Sequence, residues 1–145
     1  MIETIFFSLQ PPSGSYGGGS FFVKDLANYF SNKGYEITFE LKPNIDLIFI
    51  IDPRQGSYKK YSLDNFLQYK QNFPNTKMLY AVNECDIKRQ ISINIEPLIV
   101  KCILNCDLIV FISNWLKDYY FKKYNDIKEK FDNNFKVINN ACDLK

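Results

Sequence analysis

The chain has 145 residues, 46% of them hydrophobic and 23% charged, the profile of one core-forming globular domain over 1–145. Its formal net charge of +2 is too small to argue for nucleic acid or an anionic membrane as a partner. Histidine is absent, which excludes a Ser-His or Cys-His catalytic pair and His-ligated metal within this chain, and leaves acid–base work to carboxylates, Lys, Tyr or Cys.

Strand and helix signals alternate. Ile2 to Leu9 is a β-branched and aromatic run ended by Pro11-Pro12, which predicts a buried strand. The loop from Gln10 to Gly19 follows, holding four of the six glycines. A helix is predicted from Ser20, with Phe22, Leu26, Tyr29 and Phe30 at helical spacing and Gly34 as its stop. Glu36 to Leu41 and the fully apolar Leu47 to Ile51 read as strands. Ser62 is a possible cap for a helix running to Phe73. Lys77 to Asn83 reads as a fourth strand. The next helix carries Ile95, Leu98, Ile99, Cys102, Ile103 and Cys106 as one stripe, with Pro97 tolerated in its first turn. A fifth strand, Leu108 to Ser113, leads into a helix from Asn114 to Lys123, frayed or extended through Lys130. Phe135 to Asn139 is a sixth strand.

Continuous apolar strands alternating with helices predict a Rossmann-like, doubly wound parallel sheet of about six strands, helices on both faces, in the order 3-2-1-4-5-6. Ligands in such sheets bind beyond the carboxyl ends of the strands. In the first exit, Gly17, Gly18 and Gly19 leave the backbone open to a ligand, and the helix starting at Ser20 favours anions, so this loop is a candidate phosphate cradle; the alternative is a flexible surface loop. It matches neither G-x-x-x-x-G-K-[ST] nor G-x-G-x-x-G. Glu40 does lie about twenty residues on, where a ribose-binding acid would sit, which keeps an NAD(P)-binding reading open. The fourth exit, Asn83-Glu84-Cys85-Asp86-Ile87-Lys88-Arg89, gathers the charges and amides that hydroxyl-rich ligands need; the alternative is a solvated loop with local ion pairs. At the fifth exit, Ser113 or Asn114 could instead cap the next helix. Asp52-Pro53-Arg54 could bring Arg54 near the cleft.

The four cysteines, Cys85, Cys102, Cys106 and Cys142, form no C-x-x-C pair; Cys102 and Cys106 are expected to be buried thiols without metal. The most apolar stretch, Leu98 to Ile112, is broken by Lys101, Asn105 and Asp107, so no membrane span is expected. Glu3 sits where a signal peptide would be basic, and the Met start runs straight into a strand pattern; we expect a native N-terminus and a cytoplasmic protein. The richness in Asn, Ile, Lys, Tyr and Phe suits an AT-rich genome such as that of a large DNA virus, a protist or a low-GC bacterium.

Four segments carry a family resemblance. The glycine loop leads into Asp25-Leu26-Ala27-Asn28-Tyr29-Phe30 and Lys33-Gly34-Tyr35-Glu36-Ile37, which resembles the opening of family 4 GT-B glycosyltransferases: Gly-Gly, Leu-Ala, then Gly-His-x-Val. Asn105-Cys106-Asp107, with the apolar strand and Ser113 after it, resembles their Ala-Asp, strand and Ser. Val137-Ile138-Asn139-Asn140-Ala141-Cys142-Asp143 resembles their Val-Ile-x-Asn-Gly-Val-Asp, and Asn83-Glu84-Cys85-Asp86 resembles a segment of some members. Tyr35 replaces the usual His, Ala141 replaces the usual Gly, and the His often found near the fourth exit is missing.

The resemblance implies the acceptor-side N-terminal half of a two-domain enzyme that transfers a sugar from a nucleotide-sugar donor to a hydroxyl of a glycan or other acceptor, with retention and usually without metal. It implies no other cofactor. Gly17, Gly18, Gly19 and Ser20 would approach the donor diphosphate; Asn83, Glu84, Asp86, Arg89, Ser113 and Asn114 would meet the acceptor. No catalytic residue is assigned. The C-terminal donor domain would be the missing partner, and the half alone is expected to be inactive. The rival expectation is a non-catalytic binding or assembly module.

Overall fold

The computed structural model describes residues 2–14, 17–56, 59–88 and 94–139. The chain divides into two compact units, Met1–Leu79 and Tyr80–Lys145. One all-parallel sheet of six strands runs through it in the order β2-β1-β3-β4-β5-β6, the Rossmann-like α/β architecture.

The first unit holds β1 (Thr4–Phe7), α1 (Gly18–Asn32), β2 (Glu36–Thr38), β3 (Leu47–Ile50), α2 (Leu63–Asn72) and the start of β4 (Lys77–Val82). The expected order 3-2-1-4-5-6 is corrected: β3, expected at the edge beyond β2, lies between β1 and β4, and β2 takes the edge. The reason is chemical. β3 is Leu-Ile-Phe-Ile and needs cover on both faces, whereas β2 is three residues, Glu-Ile-Thr, and tolerates an edge. Polar pins then hold β3 against β1. The Asp46 carboxylate accepts from the Glu3 and Thr4 amides at 2.9 Å, and those two bonds keep its pKa below the usual range. At the other end Ser8 donates its amide to Phe49 at 3.0 Å while its hydroxyl accepts from the Ile51 amide at 2.9 Å.

Adjacent strand residues face opposite ways. Phe6 meets Phe66 of α2 edge-on at 5.8 Å, and Phe7 stacks on Phe49 at 5.1 Å. The predicted stop of α1 holds: Gly34 has φ +92°, the Tyr35 amide donates back to the Phe30 carbonyl at 3.1 Å, and the two rings meet edge-on at 5.6 Å. The stripe predicted for α1 is only partly covered: Leu26 and Phe30 are half-buried while Phe22 and Tyr29 are exposed, and the helix's buried residue is Val23, outside that stripe. Ser62 caps α2, with Asn65 Oδ1 accepting from its amide at 2.9 Å.

The second unit continues β4 into a short 3-10 turn (Asp86–Lys88), α3 (Glu96–Asn105), β5 (Leu108–Phe111), α4 (Asn114–Lys123), α5 (Asn125–Phe131) and β6 (Phe135–Val137). Its core gathers Phe111 with Tyr120, Phe121 and Phe135. Cys102 and Cys106 are buried, as the stripe predicts. The helix expected to run on through Lys130 is two helices, because Tyr124 between them takes an extended conformation (φ −129°, ψ 98°). No helix among the described residues is long and apolar enough to cross a membrane.

Candidate functional site

In this strand order the direction of the connections reverses between β1 and β3, so the crevice where such sheets bind ligands lies between those two exits. The glycine loop leaves β1 on one side. α1 begins with Gly17 at its N-cap, without a side-chain cap and without an acidic residue in the first turn. A Cβ added at Gly17 or Gly18 would meet nothing within 4 Å, and one at Gly19 only Leu9 Cδ2 at 4.0 Å. Neither backbone strain nor packing inside the chain therefore demands these glycines. What they leave is an open backbone at the positive end of a helix dipole.

On the β3 side, Asp52 organises the exit. Its carboxylate accepts from the Arg54 amide (2.9 Å) and guanidinium (2.6 Å) and from Lys59. Burial alone would raise its pKa, but Arg54 and Lys59 outweigh burial and hold it below the usual range. Arg54 is thus held in place by Asp52. Glu40, the candidate ribose acid, accepts from Tyr61 at 2.8 Å and from Lys60, so its carboxylate is already engaged.

A groove of about 430 Å³ is walled by Gln10 to Gly14 at the start of the glycine loop and by the first turns of α1 from Ser20. Pro11, Phe21 and Phe39 give it apolar walls, and Gln10, Lys24 and Asn28 bring polar ends. Of the residues predicted at the diphosphate, Ser20 lines it. The crevice follows from topology and the groove from surface shape; Gly14 and Ser20 line the groove, and Gly17, Gly18 and Gly19 are not among its walls.

The predicted acceptor residues fall in the second unit. Asn83 is exposed and Glu84 half-buried at the β4 exit. The Glu84 carbonyl accepts from the Tyr120 hydroxyl at 2.8 Å. Asp86 serves α3: its two oxygens accept from the Ile95 (2.9 Å) and Glu96 (3.4 Å) amides. Ser113 caps α4, its hydroxyl accepting from the Leu116 amide at 3.2 Å, while Asn114 beside it is exposed. Arg89 lies outside the described residues, as do Asn140 to Asp143 of the resemblance. The Ile112 amide donates to the Val82 carbonyl at 3.3 Å, so the β4 and β5 exits are neighbours.

Sequence reasoning passed over the centre of this unit. Glu96 is 2% exposed and accepts from Tyr119 (2.9 and 3.0 Å), Tyr124 (2.7 Å) and Lys123 (2.7 Å). Burial opposes its charge, yet these donors outweigh it and lower the pKa; in return Glu96 raises that of Lys123. Trp115 stacks on Tyr119 with ring centres 5.6 Å apart and planes 13° from parallel. One signal was available: Trp115, Tyr119 and Lys123 recur every four residues and so share a helix face. Among the described residues no group of three or more Cys, Asp or Glu is arranged to hold a metal ion.

The sequence matches no protein-family model and no curated protein.

Proposed function

We propose that this chain is the acceptor-side half of a GT-B glycosyltransferase, in which the amides of Gly17, Gly18 and Gly19 and the Ser20 hydroxyl receive the diphosphate of a nucleotide-sugar donor, the Ser20 amide being bonded to the Gly17 carbonyl at 3.0 Å. The observation that carries the reading is the uncapped start of α1: three successive glycines, with open space where a Cβ would stand at Gly17 and Gly18 and only an ordinary contact with Leu9 at Gly19. Backbone N–H groups at a helix start stabilise a diphosphate, and with it the negative charge that develops on the leaving group. The all-parallel sheet and the family-like segments support it. Donor base and ribose would need a second domain, so the half alone binds donors weakly and transfers nothing. Micromolar capture takes about 8 kcal/mol, whereas each backbone hydrogen bond contributes about 0.5–1.5 kcal/mol net.

The test is an amide-resolved NMR titration with UDP-glucose, GDP-mannose and ADP-glucose. At 17.1 kDa the chain is well suited to it. Millimolar, saturable shifts centred on Gly17 to Ser20 are expected. No shift there with any donor, or micromolar binding, would overturn the reading.

The exposed Phe21 and Tyr29 of α1 support the second reading, a module retained for its surface. An assembly that buries α1 with the glycine amides unresponsive would favour it.

A further inference from the structure

We propose that Trp115 is a stacking platform for a neutral pyranose ring of the acceptor, an inference that rests on the transferase reading. Trp115 is the chain's only tryptophan, stands in the first turn of α4 at the β5 exit and is 50% exposed. Its orientation is set beforehand. Tyr119 stacks beneath it, Tyr120 meets Tyr119 edge-on at 5.3 Å, and the Tyr119 hydroxyl is tied to both oxygens of the buried Glu96 and accepts from Lys123 at 3.0 Å. A buried carboxylate thus fixes one aromatic ring, and that ring fixes the next. A surface ordered before its ligand arrives loses less entropy on binding.

The chemistry selects a sugar. The electron-rich face of an aromatic ring attracts the C–H face of a pyranose. The hydroxyls at the sugar's rim need amides and carboxylates, and Asn114, next in the chain, is exposed, with Asn83 exposed on the neighbouring exit. Lys123, which lies over the Tyr119 ring, is committed to Glu96, so the platform favours a neutral ring over a phosphorylated one.

Because one tryptophan is present, its emission and its indole N–H resonance report on this place alone. Maltopentaose, mannopentaose and chitopentaose are the probes, titrated into the full chain without nucleotide. At least one should give a saturable emission change and a matching indole shift, half-complete on the order of millimolar. Tyr119→Phe, which keeps the stack and loses the tie to Glu96, should weaken that response about threefold or more, with its own melting curve verifying the fold. Silence with all three sugars, a response to UDP or GDP in their place, or undiminished binding by folded Tyr119→Phe would overturn the proposal. A sugar response without any donor response at Gly17 to Ser20 would sink the transferase reading and keep the platform; the converse would sink the platform alone.

Discussion

Replacing Glu96 with alanine probes the network that organises the second unit. Truncating one member of a fully buried ion pair costs about 3–5 kcal/mol, because the other charge is stranded in the interior. Lys123 is not stranded: its side chain is 50% exposed, and water takes over its ammonium. Tyr119 and Tyr124, both half-buried, each lose an acceptor, at about 1 kcal/mol apiece. With the lost side-chain stem, Glu96→Ala should destabilise by about 2–3 kcal/mol. Glu96→Gln should cost about 1–2 kcal/mol, since the amide keeps one acceptor oxygen but points an NH₂ at groups that also donate. Urea denaturation followed by circular dichroism measures both.

The pH dependence supplies an independent axis. Glu96 has a lowered folded-state pKa, so its contribution is complete above the unfolded value of about 4.3 and is lost as pH falls through the folded one. Burial and the Glu96 carboxylate push Tyr124 up to about 12, and Glu96 pushes Lys123 upward as well. Their contributions are complete below about pH 10 and are lost as pH rises through the folded values. The stability gap between wild type and Glu96→Gln should therefore be flat from about pH 5 to about pH 10 and narrow in acid. A gap under about 0.5 kcal/mol at neutral pH, or one that persists unchanged in acid, would refute the reasoning.

Three further outcomes are expected. Gly18→Ala combined with Gly19→Ala should raise stability by up to about 1 kcal/mol per site, since space is open at both, while weakening the amide response to UDP-glucose; a loss of stability in thermal melting would contradict the open-space geometry. Ser113→Ala should cost about 1 kcal/mol through its lost cap, and an unchanged urea midpoint would show that the hydroxyl does not cap α4. Cys85, Cys102 and Cys106 are buried and should resist a thiol reagent until the chain unfolds; mass spectrometry showing modification of any of them in native protein would contradict that burial.

How far the sequence reached depends on how local each property is. Runs such as Leu-Ile-Phe-Ile in β3 and Leu-Ile-Val-Phe in β5 are legible as buried parallel strands, because two-sided burial removes the polar alternation. The end of α1 at Gly34 and the cap at Ser62 were equally legible, and the cap of α4 was narrowed to Ser113 or Asn114, since each is decided within a few residues by backbone geometry. The lateral order of the strands was not. It depends on which strand Asp46 and Ser8 tie to β1, contacts made about 40 residues apart in the chain. The same holds for the candidate site. The glycine run announces itself, because its chemistry is that of its own backbone. Glu96 reads from sequence as an ordinary first-turn acid beside Pro97, and only the packing of α3 against α4 and α5 buries it among Tyr119, Lys123 and Tyr124 and sets Trp115 above them. Local chain chemistry determined the elements and their ends; the long-range pairing of polar groups decided strand order, and with it where the crevice lies and which side chains share a site.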